Sequence, residues 1–522
     1  MYGRIKQIIF KLSKHTEEIL FYSVLILAAF LLFYKLSLRT FWMDETAVLE
    51  YLSQSTGPIN FLVEYFKVPD NHAPLYYFLV IIFYKLFSFG EVGIRLVSVL
   101  AGLGIVALVY RFSLLLFGDK KIARTTMFFT ATSSYFILIS QMARYHSLSG
   151  FFALFFLYYF SRIILKGYTR RDYIAFIIFG FLVGFTDYPH FIYVITIVNL
   201  YYFYKLVFKN ERIVLLRNWL VGQAIMLLSF LPMVYLIYLR ILHGDGGFEK
   251  VSLLGRSVMN YVADLGMHFY AFFFGENILP WNWFPFLLGT LVLLVVSFYL
   301  ASALYKRQLS KGLYLILYYF FSAIILNTVF MNLADPRYNF VVYPKYGFFA
   351  FPLFMIAVVA VINFTMSKKI KGYILISILI VTIFGLINFY QAKNYLNASY
   401  FSNFRSYEFV MDNSIPGDYL VINGDAGIGV YEFYKNKYFK NLKPVFITDL
   451  DKIDSKSRVW FFSTGSDEGG NFDPQSKLPS GFFEVKRFES VPLEPMLKIL
   501  KEKILHRPSY NYKYTVFLLQ KI

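Results

Sequence analysis

Twelve apolar stretches punctuated by short polar loops fill the first 390 residues: 19–36, 74–89, 94–117, 122–140, 147–165, 173–188, 190–208, 216–239, 284–305, 312–331, 344–363 and 372–390. Most approach the roughly 20 residues that an α-helix needs to cross a hydrocarbon core of about 30 Å. The stretch 74–89 is the shortest. After residue 391 the pattern changes. Charged residues become frequent and short β-like runs appear at 419–423, 445–448, 459–463 and 514–519, with turn signals at Pro416-Gly417-Asp418 and Gly469-Gly470. Residues 497–505 read as one helix. The pattern predicts a mainly α, polytopic transmembrane helix bundle of about 11–13 spans over 1–390, then an extramembrane α/β domain over 391–522. Two long loops stand out in the first part, 37–73 and 240–283, and both are expected outside.

Composition agrees with a membrane protein. The 522 residues are 58% hydrophobic and only 16% charged, whereas soluble domains hold about a quarter charged residues. The net charge of +19 would suit a nucleic-acid partner if it formed a continuous face, but the basic residues gather in short loops. These are Lys120, Lys121 and Arg124; Lys166, Arg170 and Arg171; Lys209, Arg212 and Arg217; Lys306, Arg307 and Lys311; and Lys368, Lys369 and Lys371. Such clusters mark the cytoplasmic side and meet anionic membrane lipids, so no nucleic-acid partner is expected. The intervening loops carry Asp187, Asp245, Glu249, Asp264, Glu276 and Asp335 and face outward, as does the C-terminal domain. Arg4, Lys6, Lys11 and Lys14 precede a full-length apolar run with no small-residue cleavage site, so the N-terminus reads as a retained anchor. Parity conflicts with this layout: twelve crossings would return the C-terminus to the cytoplasm. Either 74–89 is re-entrant or interfacial, or the loop at Lys120–Arg124 breaks the charge rule. The absence of cysteine excludes disulfides, thiolate nucleophiles and Cys-type metal sites.

Asp44-Glu45, a few residues past the first apolar stretch, is the leading candidate for chemistry. Two acids at a membrane face are costly unless they have a partner or a task; the competing reading is a solvated loop. Three further patterns accompany the pair: Asn71-His72-Ala73-Pro74-Leu75-Tyr76-Tyr77, Phe89-Gly90-Glu91-Val92-Gly93-Ile94-Arg95-Leu96, and Gln141-Met142-Ala143-Arg144-Tyr145-His146-Ser147-Leu148. With these four patterns, region 37–165 resembles the GT-C superfamily of membrane glycosyltransferases, in the branch of the protein O-mannosyltransferases and the lipid A aminoarabinose transferase. The second pattern is similar to that branch's His-Pro-Pro-Leu-Tyr-Tyr element, with Ala73 where Pro is common. Ala47 stands where aminoarabinose transferases carry a basic residue, and their Glu-Lys-Pro element is missing. No Trp-Trp-Asp-Tyr-Gly motif marks an oligosaccharyltransferase.

The resemblance implies an inverting enzyme that takes a monosaccharide, a mannose-type hexose or similar, from a polyprenyl-phosphate donor. The acceptor is a lipid, glycan or protein, and the site lies on the external face of the cell (plasma or inner) membrane. It implies Asp44 as the base; Glu45 then bonds the sugar or the backbone, or raises the Asp44 pKa. The departing phosphate needs positive charge. Arg144 with Tyr145 at one span end, and Arg337-Tyr338 with Lys345 at another, are suited to it; interfacial anchoring is the alternative for each. His72 is placed with the phosphate or bridging to Asp44. A divalent metal held by His72 and His268 is conceivable, but no metal ligand and no other cofactor is assigned. Asp187-Tyr188-Pro189-His190 reads as a loop turn before it reads as a sugar pocket. The Gly cluster after His243 lacks the strand–loop–helix context of a phosphate cradle. Gly424–Gly429 follows a strand but does not fit Gly-x-Gly-x-x-Gly. Two other classes compete: a lipid-linked glycan flippase, which would show charged mid-span residues and broken helices in matching halves, and a scaffolding subunit.

Overall fold

The computed structural model describes residues 2–37, 40–41, 43–67, 73–87, 90–211, 213–242, 258–334, 343–391, 402–422, 424–466, 478–489, 503 and 512–522. Of the expected stretches, all twelve are helical. They are α1 (Tyr2–Phe33), α4 (Leu75–Phe87), α5 (Gly90–Phe117), the pair α6 (Lys120–Thr132) and α7 (Ser134–Ser140), α8 (His146–Lys166), α9 (Arg170–Thr186), α10 (Tyr188–Phe208), α11 (Leu216–Leu242), α13 (Trp283–Tyr305), α14 (Lys311–Ala334), α15 (Tyr343–Tyr346) with α16 (Ala350–Thr365), and α17 (Lys368–Tyr390). Between them lie α2 (Met43–Gln54), α3 (Pro58–Lys67) and α12 (Val258–Phe274), and the last occupies part of what the sequence suggested was one long loop. Eight described helices are long and apolar enough to cross a membrane. At 13 residues and 1.5 Å per residue, α4 measures about 20 Å, too short to cross unaided.

Local chemistry sets these boundaries. Asp119 caps α6 by accepting from the backbone N–H groups of Lys121 and Ile122 at 2.6 and 3.2 Å. Ser133, with extended backbone, ends α6 and caps α7, which breaks one expected span in two. Thr169 and Ser367 cap α9 and α17 in the same way. Apolar coverage then sorts centre from periphery. Every residue from 350 to 362 on α16 is buried, so this helix is enclosed on all sides. By contrast, α13 and α17 expose most of their apolar surface, as lipid-facing helices do.

The chain forms two compact units. One unit comprises residues 1–34, 65–76 and 96–391; the other comprises 35–64, 77–95 and 392–522. The second unit contains α18 (Ser402–Asn413), α19 (Gly424–Tyr434) and a five-stranded sheet of β1 (Tyr419–Ile422), β2 (Lys443–Phe446), β3 (Arg458–Ser466), β4 (Phe482–Glu489) and β5 (Tyr512–Lys521). The strand order is β2-β1-β3-β5-β4. β1 runs parallel to β2 and β3, while β5 is antiparallel to β3 and β4. Leu450, Val459, Phe461, Phe517 and Leu519 form the core on one face of the sheet. The run 497–505 lies outside the described residues apart from Lys503.

Candidate active site

In the second unit, Asp44 and Glu45 occupy the first turn of α2, where a helix N-terminus favours negative charge. The side chain of Asp44 lies outside the described residues, as do His72, Arg337 and Tyr338. Glu45 is buried, and its carboxylate meets the buried Arg95 of α5 in a two-pronged pair. Arg95 Nε donates to Oε1 at 3.1 Å and Nη2 to Oε2 at 2.9 Å. Arg95 also donates from Nη1 to the Leu36 carbonyl at 2.6 Å and from Nη2 to the Thr40 carbonyl at 3.5 Å. Its guanidinium lies 4.8 Å from the centre of the Phe41 ring. A buried ion pair is tolerated only when the remaining donors are satisfied, and here backbone carbonyls do that. The arrangement fastens the segment leading into α2 to the start of α5. Both carboxylate oxygens of Glu45 are engaged by Arg95. The sequence reading quoted Arg95 within a pattern but gave it no role.

In the first unit, the other patterns meet around Ser98. Tyr76 Oη lies 2.9 Å from Ser98 Oγ, which reaches the Arg144 carbonyl at 3.1 Å, while Ser147 Oγ donates to the Ser98 carbonyl at 2.9 Å. Gln141 Nε2 closes the end of α1 by donating to the Leu32 and Tyr34 carbonyls at 2.9 and 3.2 Å. The turn 141–145 is therefore held from the end of α1 and from α5. Arg144, Tyr145 and His146 are all buried. The Arg144 guanidinium lies 5.2 Å from the Tyr145 ring centre, and His146 packs against both Tyr145 and Tyr346, at 4.4 and 5.4 Å.

That contact brings in Lys345, which is 3% exposed and sits 5.0 Å over the Tyr346 ring. The carbonyls on either side of Lys345 are each held by a different helix. Tyr135 Oη donates to the Pro344 carbonyl at 2.7 Å, and His190 Nε2 reaches the Tyr346 carbonyl at 2.6 Å. His190 Nδ1 stands 3.0 Å from Asp187 Oδ2 and 2.6 Å from Ser149 Oγ. By composition this is a Ser–His–Asp trio. Its geometry is different: serine and aspartate share one ring nitrogen and the other is bound to a carbonyl, so no nucleophile–base–orienter order exists. The trio instead supports the turn that carries Lys345.

Two further groups complete the picture. Glu276, 1% exposed, adopts φ +60°, and its Oε2 has no hydrogen-bond partner among the described residues. Burial pushes its carboxyl up to about 8 against the opposing pull of the Lys345 ammonium. The neighbouring Asn277 pins this turn, donating to the Gly385 carbonyl at 2.8 Å. His268 is committed to hydrogen bonds: Nδ1 faces the Asp264 carbonyl at 2.7 Å and Nε2 faces Asn327 Nδ2 at 2.7 Å. As placed, it offers no lone pair to a metal. Among the described residues no group of three His, Cys, Asp or Glu side chains is arranged for a metal ion.

A bundle of long apolar helices with a five-stranded sheet in the second unit is a fold found among solved membrane proteins. Residues 71–236 match the family model described as dolichyl-phosphate-mannose-protein mannosyltransferase. Among solved structures, the chain is similar to ArnT from Cupriavidus metallidurans bound to undecaprenyl phosphate, with TM-score 0.54 and 12% identity over 96% of this chain and 97% of that one. The apo form of the same protein gives TM-score 0.54 and 12% identity, covering 97% and 98%. A weaker likeness, TM-score 0.44 at 14% identity, covers 81% of this chain and 62% of the Archaeoglobus fulgidus oligosaccharyltransferase. No curated protein sequence matches the chain.

Proposed function

We propose that the protein is an integral-membrane glycosyltransferase that moves one monosaccharide from a polyprenyl-phosphate donor to a hydroxyl or phosphate of a lipid, glycan or protein acceptor. The fold neighbour bound to undecaprenyl phosphate and the description of the matching family model support this donor class. The observation that carries the reading is the Glu45–Arg95 pair, which fixes the first turn of α2 and with it the backbone of Asp44.

In this reading Asp44 takes the proton from the acceptor, whose oxygen attacks the anomeric carbon. The bond from that carbon to the phosphate oxygen breaks, with inversion, and the lipid leaves as a phosphate monoester carrying one more negative charge. Arg144, Lys345 and Arg337 supply positive charge to it, with His72, Tyr145 and Tyr338 beside them. Glu45 acts through Arg95 as a positioning residue. The site faces outward in the cell membrane. The charge pattern supports this side: with α4 and α12 taken as non-crossing, the remaining spans are consistent with every basic loop inside and the C-terminus outside.

The test is transfer of radiolabelled sugar from a panel of synthetic polyprenyl-phosphate sugars, in membranes bearing the wild type or Asp44→Asn. Label reaching a lipid or protein fraction with wild type only supports the reading, and the active donor names the sugar. Equal transfer by both removes Asp44 as the base.

A further inference from the structure

The Gly-rich run at the start of α19 looks in sequence like a failed nucleotide motif. The structure gives two of its glycines another purpose. A Cβ on Gly427 would stand 2.9 Å from the Ile422 side chain. One on Gly429 would stand 2.8 Å from both the Leu49 carbonyl carbon and oxygen, and 3.0 Å from the Glu50 nitrogen. Those are backbone atoms of α2, which no rotamer change can move. Glycine within a helix costs up to about 1 kcal/mol relative to alanine; here it lets α19 lie directly against the acid-bearing helix.

Two other contacts reach the same place. Tyr434, at the end of α19 and buried, accepts a hydrogen bond from the Phe41 backbone N–H at 3.0 Å. The Phe433 and Tyr434 rings lie 5.4 and 6.2 Å from the Phe41 ring, which also carries the Arg95 guanidinium. Just beyond α19, Lys437 Nζ meets Glu91 Oε1 at 2.8 Å. Glu91 precedes Arg95 by four residues and so shares its face of α5. The C-terminal domain thus grips α2, the segment before it and the start of α5, each next to Asp44-Glu45.

We propose that the C-terminal domain positions the acid pair, with Gly429, Tyr434 and Lys437 as positioning residues that hold α2 in register with α5 for the transfer step. The proposal rests on the reading of Asp44 as the base. A general base must stand within hydrogen-bond reach of the proton it takes, and a displacement of about 1 Å lowers rate by about a hundredfold. The domain therefore holds α2 and the start of α5 for geometry.

The experiment uses the full chain in lipid nanodiscs, with amide hydrogen exchange over residues 40–54 and donor-dependent transfer as separate readouts. The variants are Gly429→Leu, Tyr434→Phe, Glu91→Lys, Lys437→Glu and the double reversal Glu91→Lys/Lys437→Glu. Gly429→Leu and Tyr434→Phe are expected to speed exchange over 40–54 and lower kcat about tenfold or more, with the donor KM held. Each single charge reversal does the same to a smaller extent, and the double reversal restores both readouts. Faster exchange with kcat unchanged makes α19 a structural cap and overturns the proposal, as does unchanged exchange in Gly429→Leu. If Asp44→Asn transfers sugar at the wild-type rate while kcat still falls in the α19 variants, the base assignment fails and the hold on α2 stands.

Discussion

Arg95 and Glu276 show two ways of burying charge, and each has its own test. Arg95 is paired, so removing it takes the two-pronged partner from a buried Glu45 carboxylate. Breaking a buried pair from one side costs about 3–5 kcal/mol. Arg95→Met is therefore expected to lower the denaturation midpoint of detergent-solubilised protein sharply, and Glu45→Gln much less, because an amide oxygen still accepts from the guanidinium. Asp44→Asn is expected to abolish transfer with little change in unfolding, since a charge at a helix start contributes only about 0.3–1 kcal/mol. Equal losses of stability in Asp44→Asn and Arg95→Met would refute this division of labour. Among the described residues Glu276 has no comparable ion pair. Its carboxyl is raised to about 8, with Lys345, Tyr135 and Tyr270 as the titratable groups that share its field. A raised acid keeps its proton in the folded state after the unfolded chain has released it. Stability from this group is thus complete below the ordinary carboxylate range and declines as pH rises toward about 8. Thermal unfolding of wild type is expected to weaken across that window, and Glu276→Gln to flatten the decline; an identical pH profile in the variant would show that Glu276 is not its source.

At the scale of elements, the α15 turn is the clearest case of one residue being placed by several helices. His190 from α10 and Tyr135 from α7 hold the carbonyls flanking Lys345. His190→Ala removes one of these and leaves Asp187 buried without its imidazole, so competition by unlabelled undecaprenyl phosphate is expected to weaken by about tenfold. Tyr135→Phe, which loses one neutral hydrogen bond, is expected to weaken it less. No change in either variant would separate Lys345 from lipid-phosphate binding. Such elements differ in how far their sequence betrays them. The spans were legible because apolar runs of this length have few other stable outcomes. α12 was not, because Asn260, Asp264 and His268 break its apolar run; the structure buries all three, and Asn332 donates to Asp264. β4 was not, because it carries Glu484, Lys486 and Arg487, which reads as loop but suits an edge strand. α19 was hidden by its glycines, whose use depends on a helix nearly 400 residues away in the chain. In the site, Asp44-Glu45 was visible as a costly pair, whereas the burial of Glu276 depends on a turn pinned by Asn277 and could not be read locally.

For the whole molecule, orientation follows from combining charge with helix length. Charge alone gave an inconsistent layout because hydropathy counts 74–89 as a span. The helix there, at 13 residues, falls short of the hydrocarbon thickness. In the layout proposed above, α4 and α12 do not cross, and the eight long helices with α6–α7, α9 and α16 make eleven transits; each Lys/Arg loop then falls on the inner side and the C-terminus on the outer. Single cysteines can test this without background, since the chain has none of its own. Cysteine at Lys120 or Lys311 is expected to react with a membrane-impermeant maleimide only after cells are opened. Cysteine at Lys456, in the C-terminal domain, is expected to react in intact cells. Labelling of Lys120→Cys from outside would mean that α4 crosses after all, and would place Asp44 and the C-terminal domain on opposite sides of the membrane. The hold of α19 on α2 requires them on the same side, so this experiment also bears on the geometry of the acid pair.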